Sequence, residues 1–258
     1  MNPRLLSLLV LLAAPAAAQP DAHAIVERGR ALVAAGHFGS SPDSLLAARA
    51  TLGLAAESDD HEAAAWAAYY SALADYRLAY TFYQDADRAL RHAESGAEAL
   101  DGLVDDRALG DDLRAEAAAL RAGLLGLQMG LDPARAASLG PASQTATRTS
   151  LDLAPDNPRV LFLHATGLLN TPEEWGGDRA TAVRQLEKAL DGFSAPASGL
   201  APTWGEDEAY AWLGLAYLMA GEAGPARAAI ERATELNPSS PFVQYKLMPW
   251  LESVEAAP

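Results

Sequence analysis

The sequence predicts an all-α protein, a right-handed solenoid of helix–turn–helix units with about ten or eleven helices. Three observations predict it. Small and apolar residues recur at helical intervals along most of the chain, and no segment alternates in the manner of a strand. Gly, Pro, Asn and Asp breakers return at helix-length intervals. One small-residue pattern also occurs three times. It is sharpest in 207–238, where Gly214 and Ala226 let two antiparallel helices approach closely and Tyr217 and Ile230 fill the space between. Gly221 ends the first of these helices and Asn237-Pro238 the second.

Taken in order, residues 1–18, MNPRLLSLLVLLAAPAAA, read as a signal peptide. Arg4 is the charged start, 5–12 the apolar stretch and Ala16-Ala17-Ala18 the small-residue cleavage site. That stretch is shorter than the ~20 residues a membrane-spanning helix needs, so no stable membrane insertion is expected after cleavage. Residues 19–258 read as a single domain. A first helix pair, 23–35 and 42–57, turns at Gly36-His37-Phe38-Gly39, with Ser41 as cap and Pro42 in the first turn. Asp59-Asp60 caps a long helix, 61–80, that carries Trp66, Tyr69, Tyr70, Tyr76 and Tyr80. Its partner, 85–103, bears Ala86, Leu90 and Ala93 at the intervals of Ala226, Ile230 and Ala233, which makes about 67–103 a repeat. A helix over 105–129 follows. The next starts at 134–139, is interrupted by Gly140-Pro141, and continues over 142–153.

A further repeat, about 157–193, begins at Asn157-Pro158-Arg159 and takes Gly167 as its close-packing small residue. Ala182, Leu186 and Ala189 lie on its return helix. Gly167 to Ala182 spans three residues more than Gly214 to Ala226, so the turn 171–178, TPEEWGGD, holds an insertion. A Pro/Ser/Gly-rich loop, 193–203, leads to the last repeat, about 207–240, and a helix over 241–254 is expected to cap that repeat's apolar face.

The eight positions Leu213, Gly214, Tyr217, Gly221, Ala226, Ile230, Ala233 and Pro238 resemble the tetratricopeptide (TPR) repeat. At WAAYYSALADYRLAY, DNPRVLFLHATGLL, PEEWGGDRATAVRQLEKALDGF and PTWGEDEAYAWLGLA, over roughly 64–251, the chain resembles a family of exported bacterial TPR proteins like those of the Bacteroidota. It is more faintly similar to the TPR subunit of TRAP-type solute uptake systems. The resemblance implies an α-solenoid, an exported location and no known catalytic activity.

Composition narrows the function. The 258 residues are 50% hydrophobic, enough for a sizeable core, and include no cysteine. There is thus no disulfide framework and no lipid-acceptor cysteine, and the expected location is periplasmic or secreted. The formal net charge is −15, one unit more negative once Arg4 leaves with the signal segment, and such a surface repels nucleic acid and anionic lipid. His23, His37, His61, His92 and His164 show no metal-ligand spacing. No nucleophile, phosphate-loop or dinucleotide motif is present, so neither a catalytic residue nor a cofactor is expected. Acidic pairs such as Glu173-Glu174 and the run Glu206-Asp207-Glu208 read as helix-start charges and solvated faces.

Binding candidates come from solenoid geometry. Asn157, Arg159 and Trp204 are expected at one edge, where first helices of successive repeats begin, with Arg159 stacked on Trp204 or bound to a carboxylate. Trp175, about 18 Å away at the far end of its helix, is expected to fold back over its own repeat. Taking Gly167 and Gly214 as alignment points, a concave groove is expected on Leu161, His164 and Leu168, on Glu208, Ala211, Leu215 and Met219, and on Asp75 of the long helix. The leading expectation is a non-enzymatic scaffold that holds a protein or peptide partner in that groove. The alternative is a small-molecule-binding accessory of an envelope solute-uptake system, with the aromatic stripe of 66–80 lining a cavity.

Overall fold

A computed structural model describes residues 21–194 and 198–256; the signal-peptide reading of 1–18 falls outside them. Among the described residues there are eleven α-helices and no strand. These are α1 Ala22–Phe38, α2 Pro42–Gly53, α3 His61–Thr81, α4 Ala86–Asp105, α5 Asp111–Leu131, α6 Ala136–Leu153, α7 Pro158–Asn170, α8 Arg179–Phe193, α9 Glu206–Ala220, α10 Ala223–Leu236 and α11 Met248–Glu255. None is long and apolar enough to cross a membrane.

Ser41 and Asp60 cap their helices as expected, and other helix starts are capped in the same way. Ser41, Asp60, Asp85, Asn157 and Asp178 each accept a hydrogen bond from a backbone N–H in the first turn of the following helix. Each such cap contributes about 1 kcal/mol. Gly221 closes α9 in the left-handed conformation, φ 76°. Consecutive helices pack as antiparallel hairpins, and α1, α3, α5, α7 and α9 also touch in series, which makes them the inner layer of a solenoid-like stack. At the last hairpin a Cβ on Gly214 would lie 2.6 Å from Ile230 Cγ1, so glycine is what permits that approach. A π-helical turn, Val243–Leu247, and α11 then cover it. Val243, Leu247 and Leu251 pack on Ala211, Leu215, Leu218 and Ile230.

Three expectations are corrected. Helix α6 runs unbroken through Pro141. Its long packing against α5 outweighs the ~3 kcal/mol that an interior proline costs. Gly167 is exposed with no helix against it, because the extra turn residues shift α8 relative to α7 and the small-residue register slips. The face of α7 inferred from Gly167 therefore slips too. Finally, the first part of the aromatic stripe of α3 is packed core rather than a cavity lining. Trp66, Tyr69 and Tyr70 are buried and pack edge-on or tilted on one another at centroid distances of 5.3–6.0 Å.

The stack also returns on itself. Segment 198–205 crosses the inner layer, with Leu200 buried. Arg30 of α1 donates to Gly199 O and Ala201 O at 3.2 and 3.0 Å, and Tyr70 Oη of α3 donates to Leu200 O at 2.7 Å. Trp204 meets Phe162 of α7 edge-on at 6.1 Å. Arg77 of α3 reaches Glu208 of α9 at 3.1 Å and donates to Val33 O of α1 at 3.3 Å. Of the surface predicted for a partner, Ala211 and Leu215 lie under the C-terminal segment, and Leu168 and Met219 remain accessible at the far end of their helices.

Candidate functional site

Asn157, Arg159 and Trp204 do come together, around a residue that no motif or spacing singled out. Glu116, on α5 and 2% exposed, accepts from Tyr69 Oη at 2.7 Å, Asn157 Nδ2 at 3.0 Å and Arg159 Nε at 2.8 Å. Trp204 Nε1 donates to Tyr69 Oη at 3.0 Å. Arg159 binds this carboxylate and lies 5.8 Å over Phe193, while Arg77 is the guanidinium beside Trp204, at 5.7 Å. Burial pushes the Tyr69 phenol up, and Glu116 adds to it. Burial opposes the charge of Arg159, but Glu116 outweighs it and holds the guanidinium above its ordinary value. The carboxylate is saturated by groups of the chain itself, and the cluster seats segment 198–205 on α3, α5 and α7.

Asp75 and His164 lie elsewhere. Asp75 is buried where α2, α3 and α4 meet, in contact with Arg49 Nε at 3.1 Å, His92 Nδ1 at 2.8 Å and Ser95 Oγ at 3.2 Å. Burial pushes its carboxyl up against the opposing pull of His92 and Arg49. Helix α3 is enclosed along this face, so Asp75 does not front a groove. His164 turns toward Gln185 of α8, which is the slipped register of α7 seen at one side chain, and its Nδ1 has no hydrogen-bond partner. Burial holds this imidazole below the ordinary 6.5. The unfolded chain then takes up the proton more readily, and His164 should erode stability as pH falls below about 6.5. Urea midpoints measured between about pH 7 and 5 should lose that part of their slope in His164→Gln.

Trp175 is 74% exposed and does not fold back over its repeat. The inserted turn is closed by backbone instead. Gly176 is left-handed at φ 99°, and Gly177 N bonds to Pro172 O at 3.0 Å. A Cβ on Gly177 would stand 1.8 Å from Thr171 O. Gly177→Ala should therefore reopen the turn at a cost of about 2–3 kcal/mol, read as a shift in urea midpoint. With the turn held this way the indole is left outside.

The inserted turn contributes to a concave feature. An open cleft lies between the long α7–α8 turn and the C-terminal end of α9. One lobe, about 280 Å³, is lined by Leu168, Pro172, Arg179 and Met219. A second, about 590 Å³, is lined by Val183, Tyr217, Ala220 and Glu222, and the lobes share Glu173, Gly177, Asp178 and Arg179. Trp175 falls between the lining residues Glu173 and Gly177 in sequence but is not itself part of the lining. Arg179 Nη1 donates to Met219 O at 3.1 Å. Tyr217 Oη donates to Glu187 Oε1 at 3.0 Å, and partial burial together with Glu187 pushes this phenol up. The sequence marked this place through the insertion and Trp175. On the α9 side, Tyr217 was assigned to packing between helices and Met219 to the end of a concave groove.

No family model matches the chain, and no curated relative matches its sequence. Among solved structures it is similar to the HusA haemophore from Porphyromonas gingivalis, a protein of the Bacteroidota. The two are 29% identical over 74% of this chain and 92% of HusA, with a TM-score of 0.58.

Proposed function

We propose that this chain is an exported, non-catalytic binder of a flat, largely apolar small molecule of the haem class, held in the cleft beneath the α7–α8 turn. The likeness to a haemophore over nearly all of that protein's length carries the proposal. The cleft supports it physically. Its larger lobe falls within the ~300–1,000 Å³ of small-molecule sites. Leu168, Val183, Tyr217 and Met219 offer apolar walls and Arg179 a cation for carboxylate substituents. The exposed Trp175, outside the lining itself, is carried by the same turn and is available to stack on a bound ring from the rim. Of the two side chains there of iron-ligand type, the Tyr217 phenol keeps its proton for Glu187, which leaves the Met219 thioether as the donor.

Titration of haem into the protein, followed by absorbance, tests the reading. A saturable change at one haem per chain is expected. Trp175→Ala should weaken binding about 10-fold, the equivalent of losing roughly 1.4 kcal/mol of stacking. Met219→Ala should move the absorption maximum of the bound form. Unsaturable binding, or titrations of both variants identical to the parent, would refute it. The protein-scaffold reading comes second, because Ala211 and Leu215 are covered by the C-terminal segment and Asp75 is enclosed by Arg49 and His92, so the residues expected to share one groove do not.

A further inference from the structure

The geometry points to a divalent transition-metal site of the zinc class at His37, Asp207 and Glu208, which clamps the first hairpin of the chain to its last. His37 lies in the final turn of α1, and Asp207 and Glu208 in the first turn of α9. One ligand atom from each lies within 4.8 Å of the other two, and His37 Nε2 is 2.7 Å from Asp207 Oδ2. Asp207 and Glu208 were expected to be solvated helix-start charges. Instead Asp207 is 8% exposed, and α9 begins at Gly205 without a side-chain cap.

An imidazole nitrogen with two carboxylate oxygens is the protein donor set of His/Glu zinc sites, which keep a fourth position for water. Ligands about 2.0–2.1 Å from a tetrahedral ion stand about 3.3 Å apart. The cluster brackets that spacing: an ion entering it parts His37 from Asp207 slightly and draws Glu208 inward. The surrounding groups are of the kind that orient ligands. Asn237, 2% exposed at the end of α10, donates to Asp207 Oδ2 at 3.0 Å and lies 3.4 Å from His37 Nε2. Turning its amide over would present an oxygen to the same point. Arg77 holds Glu208 Oε2 at 3.1 Å and leaves the other oxygen free to coordinate. Its charge lowers cation affinity, yet Asp207, Glu208 and Arg77 together still sum to one negative charge. A nitrogen ligand in a tight, part-buried set of this kind selects zinc-class ions over calcium or magnesium.

The place gives such an ion something to do. His37 and Asp207 are 170 residues apart, and the chain has no cysteine with which to join them covalently. Elsewhere this seam is held by neutral contacts, those of Ser239 with Ser40 and with the Phe38 carbonyl.

The test uses chelator-stripped protein titrated with Zn²⁺ by calorimetry and with Co²⁺ by visible absorbance, followed by thermal melts. We expect one ion per chain, cobalt bands of tetrahedral type, and a Tm rise of roughly 5–10 °C at a hundredfold excess over Kd. His37→Gln and Glu208→Gln should abolish uptake and the Tm rise, while His23→Gln, at the exposed His23–Asp60 pair, should keep both. Failure of the parent protein to take up a stoichiometric ion overturns the site, whatever the variants do. So does undiminished uptake in His37→Gln. Haem binding enters neither readout, so this result stands apart from that of the cleft.

Discussion

Glu116→Ala should lower stability by about 3–5 kcal/mol, the cost of stranding a buried charge, or roughly 6–20 °C in Tm for a chain of this size. Glu116 is bound by three groups from two places in the fold, Tyr69 of α3 and Asn157 and Arg159 at the start of α7. Removing it leaves the part-buried guanidinium of Arg159 without its counter-charge and the Tyr69 phenol and Asn157 amide without their acceptor. Glu116→Gln separates these effects. It keeps an acceptor but removes the charge, so it should fall between the parent and the alanine variant. Tyr69→Phe, which removes one neutral donor, should cost only about 1 kcal/mol. Urea unfolding followed by circular dichroism distinguishes the series, and equal losses for all three would mean that packing, not charge, holds the cluster.

Leu200→Asp should detach segment 198–205, at a cost of about 3–4 kcal/mol. The substitution places an unpaired charge where the leucine is 4% exposed and facing the inner layer, and it also gives up a buried apolar side chain. The helices themselves keep their hairpin contacts, so helical content should be largely preserved. What changes is the seam: Arg30 and Tyr70 lose the carbonyls they hold, and Trp204 loses its seat between Phe162 and Arg77. Limited proteolysis between α8 and α9 should accelerate sharply in the variant. Unchanged protection there would show that the segment is held by its ends alone.

Local chemistry was the legible part of this fold. Ser41, Asp60, Asp85, Asn157 and Asp178 cap helices because a short side chain can reach its own backbone, and such contacts are written in adjacent residues. The last hairpin was legible for the same reason, since Gly214, Ile230 and the Gly221 cap lie within one short span. Register failed where an insertion intervened. Aligning on Gly167 placed His164 in a groove, whereas the longer turn rotates that face toward Gln185. Long-range polar partners were invisible. Nothing near Glu116 in sequence announces Tyr69 or Arg159, and Asp207 looked like one of many acids at helix starts. The cleft was half legible: TPEEWGGD drew attention, but a cleft is a relation between two elements, and α9 supplied the other half.

A stack of hairpins that touch only their neighbours is free to unravel from either end, one unit at a time. This chain has tied its ends. Contacts of Arg30, His37 and Ser40 with residues some 160–200 positions later couple the first hairpin to the last. That coupling should convert a graded, fraying transition into a single cooperative one. It also carries a kinetic consequence, because closing so long a loop is an entropic cost met late. During synthesis α1 and α2 must wait for α9 and α10 before their seam exists. Removing the last hairpin should therefore loosen the first, a long-distance effect that an open stack of the same helices would not show.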